Sequence, residues 1–191
     1  SGAPFSINDI VPIANHLTEA GVVAVKADSP YKTIEELVAA AKEKGNLKAS
    51  TNGNKASNHT AAQLLAKSAG FKYKAIPYGG TADQLLALRQ GEVDFTCAKV
   101  ADVAKLVKGD KPELRVLAVF NTKRDPELPN VPTLGEKGLD PEWYGSARAL
   151  VAPKGTKPEV IQYYVEAFKK TMQDPAVIEA HKKAGMALDF K

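Results

Sequence analysis

The sequence has little cysteine, methionine and tryptophan, and no long apolar run. A single cysteine, Cys97, excludes an internal disulfide and leaves no thiol cluster for a metal. His16, His59 and His181 lack the spacing of a metal motif. No apolar stretch approaches the roughly 20 residues of a membrane-spanning helix. A GxSxG elbow, a Walker loop and a GxGxxG fingerprint are all missing, so hydrolase, nucleotide and dinucleotide readings lack their usual marks. Nothing implies a cofactor or a metal. The 26 basic and 22 acidic residues leave a formal charge of +4, yet the lysines are spread along the chain without the basic cluster of a nucleic-acid surface. A signal peptide is also missing, and Ser1-Gly2-Ala3 has the composition of a scar, so processing or truncation is expected to have removed one.

What is present is a 44% hydrophobic sequence of 191 residues, enough for one large domain or two small ones with a core. Strands and helices alternate at short intervals. Gly21–Lys26 reads as a buried strand, and Thr33 and Glu36 as a capping box opening a helix through Ile34, Leu37, Val38 and Ala41, with Gly45 as its stop. Leu47–Thr51, Lys74–Tyr78, Val93–Cys97 and Leu114–Phe120 read as further strands, separated by helices over 60–69 and 85–89 and a face marked by Val100, Val103, Ala104 and Val107. Thr81 to Gln84 predicts a second capping box, and Thr156 to Glu159 a third. Such alternation predicts an α/β fold with a mainly parallel sheet flanked by helices. Residues 121–141, with four prolines and little periodicity, read as a connection. A strand near Ala147–Ala152, a helix through Ile161, Tyr164, Val165 and Phe168, and a last helix capped by Asp174 follow.

Function is concentrated in the stretch from Lys48 to His59. A strand runs into a loop rich in Ser, Thr, Asn and Gly and then into a helix, where amides, hydroxyls and the helix dipole all favour an anion. That reads as half of a carboxylate site; a plain connection capped by Ser57 or Asn58 is the alternative. Tyr78-Gly79-Gly80-Thr81 is a second loop of the same kind. In open parallel sheets ligands sit outside the carboxyl ends of the strands, which selects these two loops and Cys97–Lys99.

Asn52-Gly53, Ser57-Asn58-His59, Pro77-Tyr78-Gly79-Gly80, Gly91-Glu92-Val93-Asp94, Leu128-Pro129-Asn130-Val131-Pro132-Thr133, Trp143-Tyr144-Gly145 and Ala152-Pro153-Lys154-Gly155-Thr156 occur in this order. In that combination the chain resembles the Bug-type extracytoplasmic receptors of tripartite tricarboxylate transporters over nearly all its length from Ile10. The resemblance implies a periplasmic-binding-protein-like (type II) fold whose two α/β domains close on a carboxylate-bearing solute and present it to membrane permease subunits, without covalent chemistry. It assigns ligand contacts to Asn52, Gly53, Ser57, Asn58, His59, Tyr78, Gly79, Gly80 and Thr81, and matches Asp94 to an acidic position. Relative to that family the N-terminal part is absent. The expected organisation is a lead-in segment at 1–20, the ligand-binding domain (the family's second) at 21–116, a crossover and proline-rich connection at 117–146, and C-terminal elements of a truncated first domain at 147–191. Helices that have lost their sheet need cover, so a homodimer or exchanged segment is expected.

Individual residues leave alternatives open. His59 is either a ligand contact or a support of its own loop. Tyr78 fits a cleft wall. Asp94 either orients the Tyr78 loop, meets a polar part of the solute or is an ordinary strand-end carboxylate. The Lys99 charge could pair with a second carboxylate, although a solvated lysine is the simpler account. Cys97 with His59 suggests a nucleophile and base, which a small buried thiol explains with less machinery. Beside the transport receptor stand two other readings: a ligand-sensing domain of a regulator using the same fold, and an enzyme with Cys97 as nucleophile.

Overall fold

The computed structural model describes residues 4–184, 186 and 188. Ser1-Gly2-Ala3, where the sequence suggests a scar, and residues 185, 187 and 189–191 lie outside the described residues. The chain divides into two compact units, Ala20–Ser146 on one side and the described parts of Ser1–Glu19 and Ala147–Lys191 on the other.

The Ala20–Ser146 unit is an α/β/α sandwich. In chain order it holds the end of β1 (Ile10–Lys26), α1 (Ile34–Lys44), β2 (Lys48–Thr51), α2 (Ser57–Ala69), β3 (Lys74–Pro77), α3 (Thr81–Gln90), β4 (Phe95–Lys99), α4 (Val100–Val103) and β5 (Leu114–Phe120). The strands lie in the order β3-β2-β4-β1-β5. β2 pairs in parallel with β3 and β4, whereas β1 is antiparallel to both β4 and β5. All strands but β1 thus run one way, and their carboxyl ends share one edge. β1 begins at Ile10, well before the expected Gly21. The polar residues Asn15, His16, Thr18 and Glu19 hide its extended character, which pairing with β6 (Gly145–Pro153) supplies.

Period-2 alternation divides the core between the two faces of this sheet. Val23, Val25, Phe95 and Cys97 face α1 and α2, where Ile34, Leu37, Ala61, Ala62 and Leu65 cover them. Val22, Ala24 and Ala98 face the other way, toward Leu85 and Leu88 of α3 and Val100 and Val103 of α4. Fully burying a Val or Leu side chain contributes about 1.5–3 kcal/mol. A register shift between Val23 and Ala24 lets β5 keep both faces in step.

Local signals decide several helix ends. Thr33 Oγ1 accepts the Glu36 amide at 3.2 Å, and Gly45 ends α1 in the left-handed conformation with φ of 65°. Asp174 caps α6 (Pro175–Lys183) through the Ala176 amide at 2.7 Å. Three expectations are corrected. The capping box at Thr81 does not form, because Thr81 is already helical and Gly80 is the N-cap. α5 (Pro158–Met172) is capped by Lys157, and the Thr156 hydroxyl instead donates to the Pro153 carbonyl. The helix expected through Val107 stops at Val103, where turns take over. The proline-rich connection belongs to the Ala20–Ser146 unit and lies along β5: the Val119 amide donates to the Pro132 carbonyl and the Leu134 amide to the Val119 carbonyl, both at 2.9 Å.

In the other unit β6, α5 and α6 carry Tyr163, Tyr164 and Ile178 exposed to solvent, and Met172 is the buried residue of α5.

Gly21 is the tightest point of the sheet. It pairs with Lys99 on one side and Phe120 on the other, and its amide donates to the Tyr144 carbonyl at 2.8 Å. A Cβ added there would lie 3.0 Å from that carbonyl oxygen and 3.2 Å from the Phe120 ring. Gly21→Ala is therefore expected to destabilise the protein by about 1–3 kcal/mol, read as a lower urea midpoint at unchanged slope. An unchanged midpoint would show that the edge yields freely.

Candidate functional site

Two loops leave the shared carboxyl edge of the sheet, one after Thr51 and one after Pro77, and each opens a helix whose N-cap residue offers no side-chain cap. Ala56 precedes α2 and Gly80 precedes α3. First-turn amides at both places point out of the helix, at the positive end of its dipole. The first loop is held by its own atoms. Asn52 Oδ1 accepts the Asn58 amide at 3.3 Å, and the Ala56 amide donates to the Gly53 carbonyl at 3.4 Å. Gly53 has φ of 116°, a conformation that favours glycine. His59 Nδ1 accepts the Lys55 amide at 3.0 Å, which leaves Nε2 to carry the proton of the neutral ring. His59 thus supports the loop.

Beneath the loops lies a buried polar chain. Lys99 Nζ donates to Asn58 Oδ1 at 3.0 Å, and Asn58 Nδ2 donates to Gln84 Oε1 at 2.9 Å. Gln84 Nε2 in turn donates to Thr96 Oγ1 at 2.5 Å and to the Cys97 carbonyl at 2.6 Å. Thr96 Oγ1 donates to the Ser50 carbonyl at 2.9 Å. The direction of every bond follows from the first, since an ammonium only donates and fixes which end of each amide faces it. Asn58 and Gln84, 1% and 0% exposed, join α2 and α3 over the edge of the sheet from its opposite faces.

Lys99 is only 5% exposed, against the solvated lysine that the sequence suggests. Its Nζ lies 5.8 Å from the centre of the Tyr144 ring, and Tyr144 packs edge-on against Phe120. Sequence reasoning placed Lys99 at this edge but took it for solvated, and missed Gln84, Thr96 and Gly21 as parts of it. One signal was available for Lys99: alternation along β4 puts it on the same face as Phe95 and Cys97.

Asn52, Gly53, Ser57, Asn58, His59, Gly79, Gly80 and Thr81 gather at the carboxyl edge. The Tyr78 amide is there too, donating to the Thr51 carbonyl at 2.9 Å, but its hydroxyl donates to Glu92 Oε2 at 3.0 Å, past the far end of α3. Asp94 is not brought to this edge. It precedes β4, and its carboxylate accepts the Lys48 amide at 2.7 Å where β2 begins, at the amino ends of the strands.

The profile of the tripartite tricarboxylate transporter family receptor, TctC, matches residues 2–189. The chain belongs to this family. Its sequence is 36% identical over 181 residues to the UPF0065 protein in the gbd 5′ region of Cupriavidus necator, covering 94% of this chain and 53% of that protein. A TctC solute-binding protein from Polaromonas superposes with a TM-score of 0.85 at 29% identity, over 99% of this chain and 64% of the other. The periplasmic binding protein BugD superposes at 0.78 and 26% identity, over 94% and 60%. The chain therefore spans about half the length of the curated relatives it matches. The family is described as one of transporter receptors, and these two solved relatives as a solute-binding protein and a periplasmic binding protein.

The remaining polar candidates have local explanations. Burial pushes the Cys97 thiol up to about 12, which makes it a packing group of the core and not a nucleophile. Alkylation of Cys97 by iodoacetamide at pH 8 is expected to be negligible over hours in the native protein and rapid in concentrated guanidinium; fast native labelling would revive the thiolate.

His16 and His181, which the sequence leaves apart, meet in the smaller unit with Nε2 atoms 2.8 Å apart, and His181 Nδ1 lies 2.8 Å from the Val177 carbonyl. Among the described residues no group of three or more His, Cys, Asp or Glu is placed to hold a metal. Burial, then the charges of His181 and Arg148, hold His16 below the ordinary histidine range. A histidine depressed in the folded state contributes stability above its unfolded value, and that contribution is lost as pH falls through the folded value. Acidification below about pH 6 is expected to loosen α6, read as lower amide-exchange protection factors at 177–183 after correction for the intrinsic pH dependence of exchange. His16→Phe should remove the pH dependence of protection; protection factors insensitive to pH in the parent would refute the coupling.

Proposed function

We propose that this chain is the solute-holding part of a periplasmic receptor that captures a carboxylate-bearing small molecule and delivers it to the permease of a tripartite tricarboxylate transporter. The observation that carries this reading is the convergence of two helix N-termini whose own N-cap residues supply no side-chain cap, after Thr51 and after Pro77, on one sheet edge that also holds a buried ammonium. A carboxylate fits such an edge. Its two oxygens accept several N–H bonds at once, and the helix dipoles favour its charge.

Asn52, Gly53, Ser57, Asn58, His59, Gly79, Gly80 and Thr81 would then act largely through position. The buried Asn58 side chain supports the loop, while backbone amides and the Ser57 and Thr81 hydroxyls are the groups at the edge. The Tyr78 amide belongs with them. Two solved structures with the same fold, Rpa4515 with adipate and MatC with malate, both from Rhodopseudomonas palustris, hold dicarboxylates at 22% identity to this chain, so they support the choice of probes.

Titration of the isotope-labelled protein with adipate and with malate tests the proposal. Amide shifts are expected to move saturably at 52–60 and 78–82, with those at Lys48 and Asp94 unmoved. Shifts confined to other regions, or none with any carboxylate, would overturn it.

A further inference from the structure

At the opposite edge of the sheet from the two loops, the start of β5 carries an inference that does not depend on the carboxylate reading. β5 ends the strand order, so one of its sides has no neighbouring strand. The proline-rich connection closes that side near Val119, whose amide and carbonyl meet Pro132 and Leu134. Nearer the start of β5 a cleft of about 380 Å³ opens between the strand and the connection. Its apolar lining comes from Leu114 and Val116 with Val107, Leu128 and Val131, on the face of the sheet that carries α3 and α4.

Backbone groups face this cleft as well. Along an antiparallel pair, residues alternate between those bonded to the partner strand and those whose amide and carbonyl point away from it. The Ala27 amide donates to the Glu113 carbonyl at 3.0 Å, so Glu113 and Arg115 turn toward β1, while Leu114 and Val116, opposite Lys26 and Ala24, turn outward. The Leu114 amide accordingly donates to the Leu106 carbonyl at 3.0 Å. Among the described residues, the Leu114 carbonyl and both backbone groups of Val116 meet no loop or side-chain partner. Val116 is 9% exposed, so these groups have given up much of their water without gaining a bond.

Charge narrows what fits. Lys108, Arg115 and Glu127 also line the cleft, two cations to one carboxylate, and Glu127 already meets Lys108 at 2.5 Å. Alternation turns Arg115 to the face opposite Val116, where its Nη1 lies 3.4 Å from the Ser29 carbonyl and 3.5 Å from the Tyr31 carbonyl, both neutral groups.

We propose that the start of β5 is a docking edge for an extended, acidic segment of a partner protein, which adds antiparallel to the sheet beside Leu114 and Val116. The partner residue opposite Val116 exchanges both backbone bonds with it and drops an apolar side chain into the cleft, on the face that Val116 shares. Residues on either side of it point to the other face, so carboxylates there meet Arg115. The recognised pattern is acid, apolar, acid. Leu114 stands six residues before Phe120, about 20 Å along the strand, so a docked segment leaves the carboxyl edge free.

The test titrates the isotope-labelled protein with the peptide Ac-Thr-Glu-Leu-Glu-Thr-NH2, read by amide shifts. Saturable shifts are expected at 114–117, 107 and 128–131, with 52–60 and 78–82 unmoved. Methylating the leucine nitrogen removes the proton that the Val116 carbonyl takes, and should weaken binding about tenfold or more. Replacing both glutamates by glutamine should weaken it about threefold or more, and Arg115→Gln should erase that difference between the two peptides. Binding of the methylated peptide within about twofold of the parent would show apolar adhesion without strand pairing and overturn the proposal. Equal affinity for the glutamine peptide, acetyl-leucine amide binding as tightly as the peptide, or no saturable shift in the cleft would overturn it too. None of these outcomes touches the carboxylate site, whose amides report separately.

Discussion

The amide of Gln84 has to be satisfied inside the protein, and much of this unit is arranged around that requirement. Its side chain is fully buried, where an unpaired amide costs about 1–3 kcal/mol. Nε2 uses both of its protons, on Thr96 and on the Cys97 carbonyl, and Oε1 takes Asn58. One residue thus links α3 to β4 and to α2, the helix on the other face of the sheet. Thr96 passes the constraint to Ser50 of β2. The two loops at the carboxyl edge are set by helices that cannot shift independently, because moving either one would break a buried bond in a medium of low dielectric.

The same amide shows where reading the sequence succeeds and where it stops. Thr33 and Glu36, Gly45, and Asp174 with Pro175 are legible because each signal is spent within a few residues, on helix-end groups that have no other use for it. Thr81 to Gln84 carries the same local signature and does not form the box. The Gln84 amide has a better use in tertiary bonds, and glycine at 80 takes the cap position with extended backbone. A local rule held only where no long-range partner competed for the same atoms.

Other parts of the site required information that neighbouring residues do not contain. Gly91 to Asp94 marks the approach to β4, yet Asp94 lies at the amino ends of the strands because the strand starts after it, at Phe95. The carboxyl-end rule alone would have separated it from the loops once that boundary was known. Lys99 reads as solvated because lysine usually is; its burial depends on Asn58, 41 positions away, and on Tyr144. His16 and His181, separated by 165 positions, meet through packing that no spacing rule encodes.

The reversed strand β1 gives the proline-rich connection its purpose. Because β1 runs against its neighbours, it enters the Ala20–Ser146 unit at the carboxyl edge, with Gly21 between Lys99 and Phe120. A glycine leaves room for another stretch of backbone to approach, and the chain that arrives is Tyr144, whose carbonyl takes the Gly21 amide and whose own amide donates to Phe120 at 3.2 Å. Bonds between Val119 and both Pro132 and Leu134 hold the connection along β5 on its way there. Prolines reduce the entropy lost in ordering so irregular a path, and they need no ladder partners. The segment that looks least structured in the sequence therefore carries the Tyr144 ring to the ammonium of Lys99. Its irregularity is the cost of bringing a side chain from beyond β5 to an edge that the parallel strands alone would leave open.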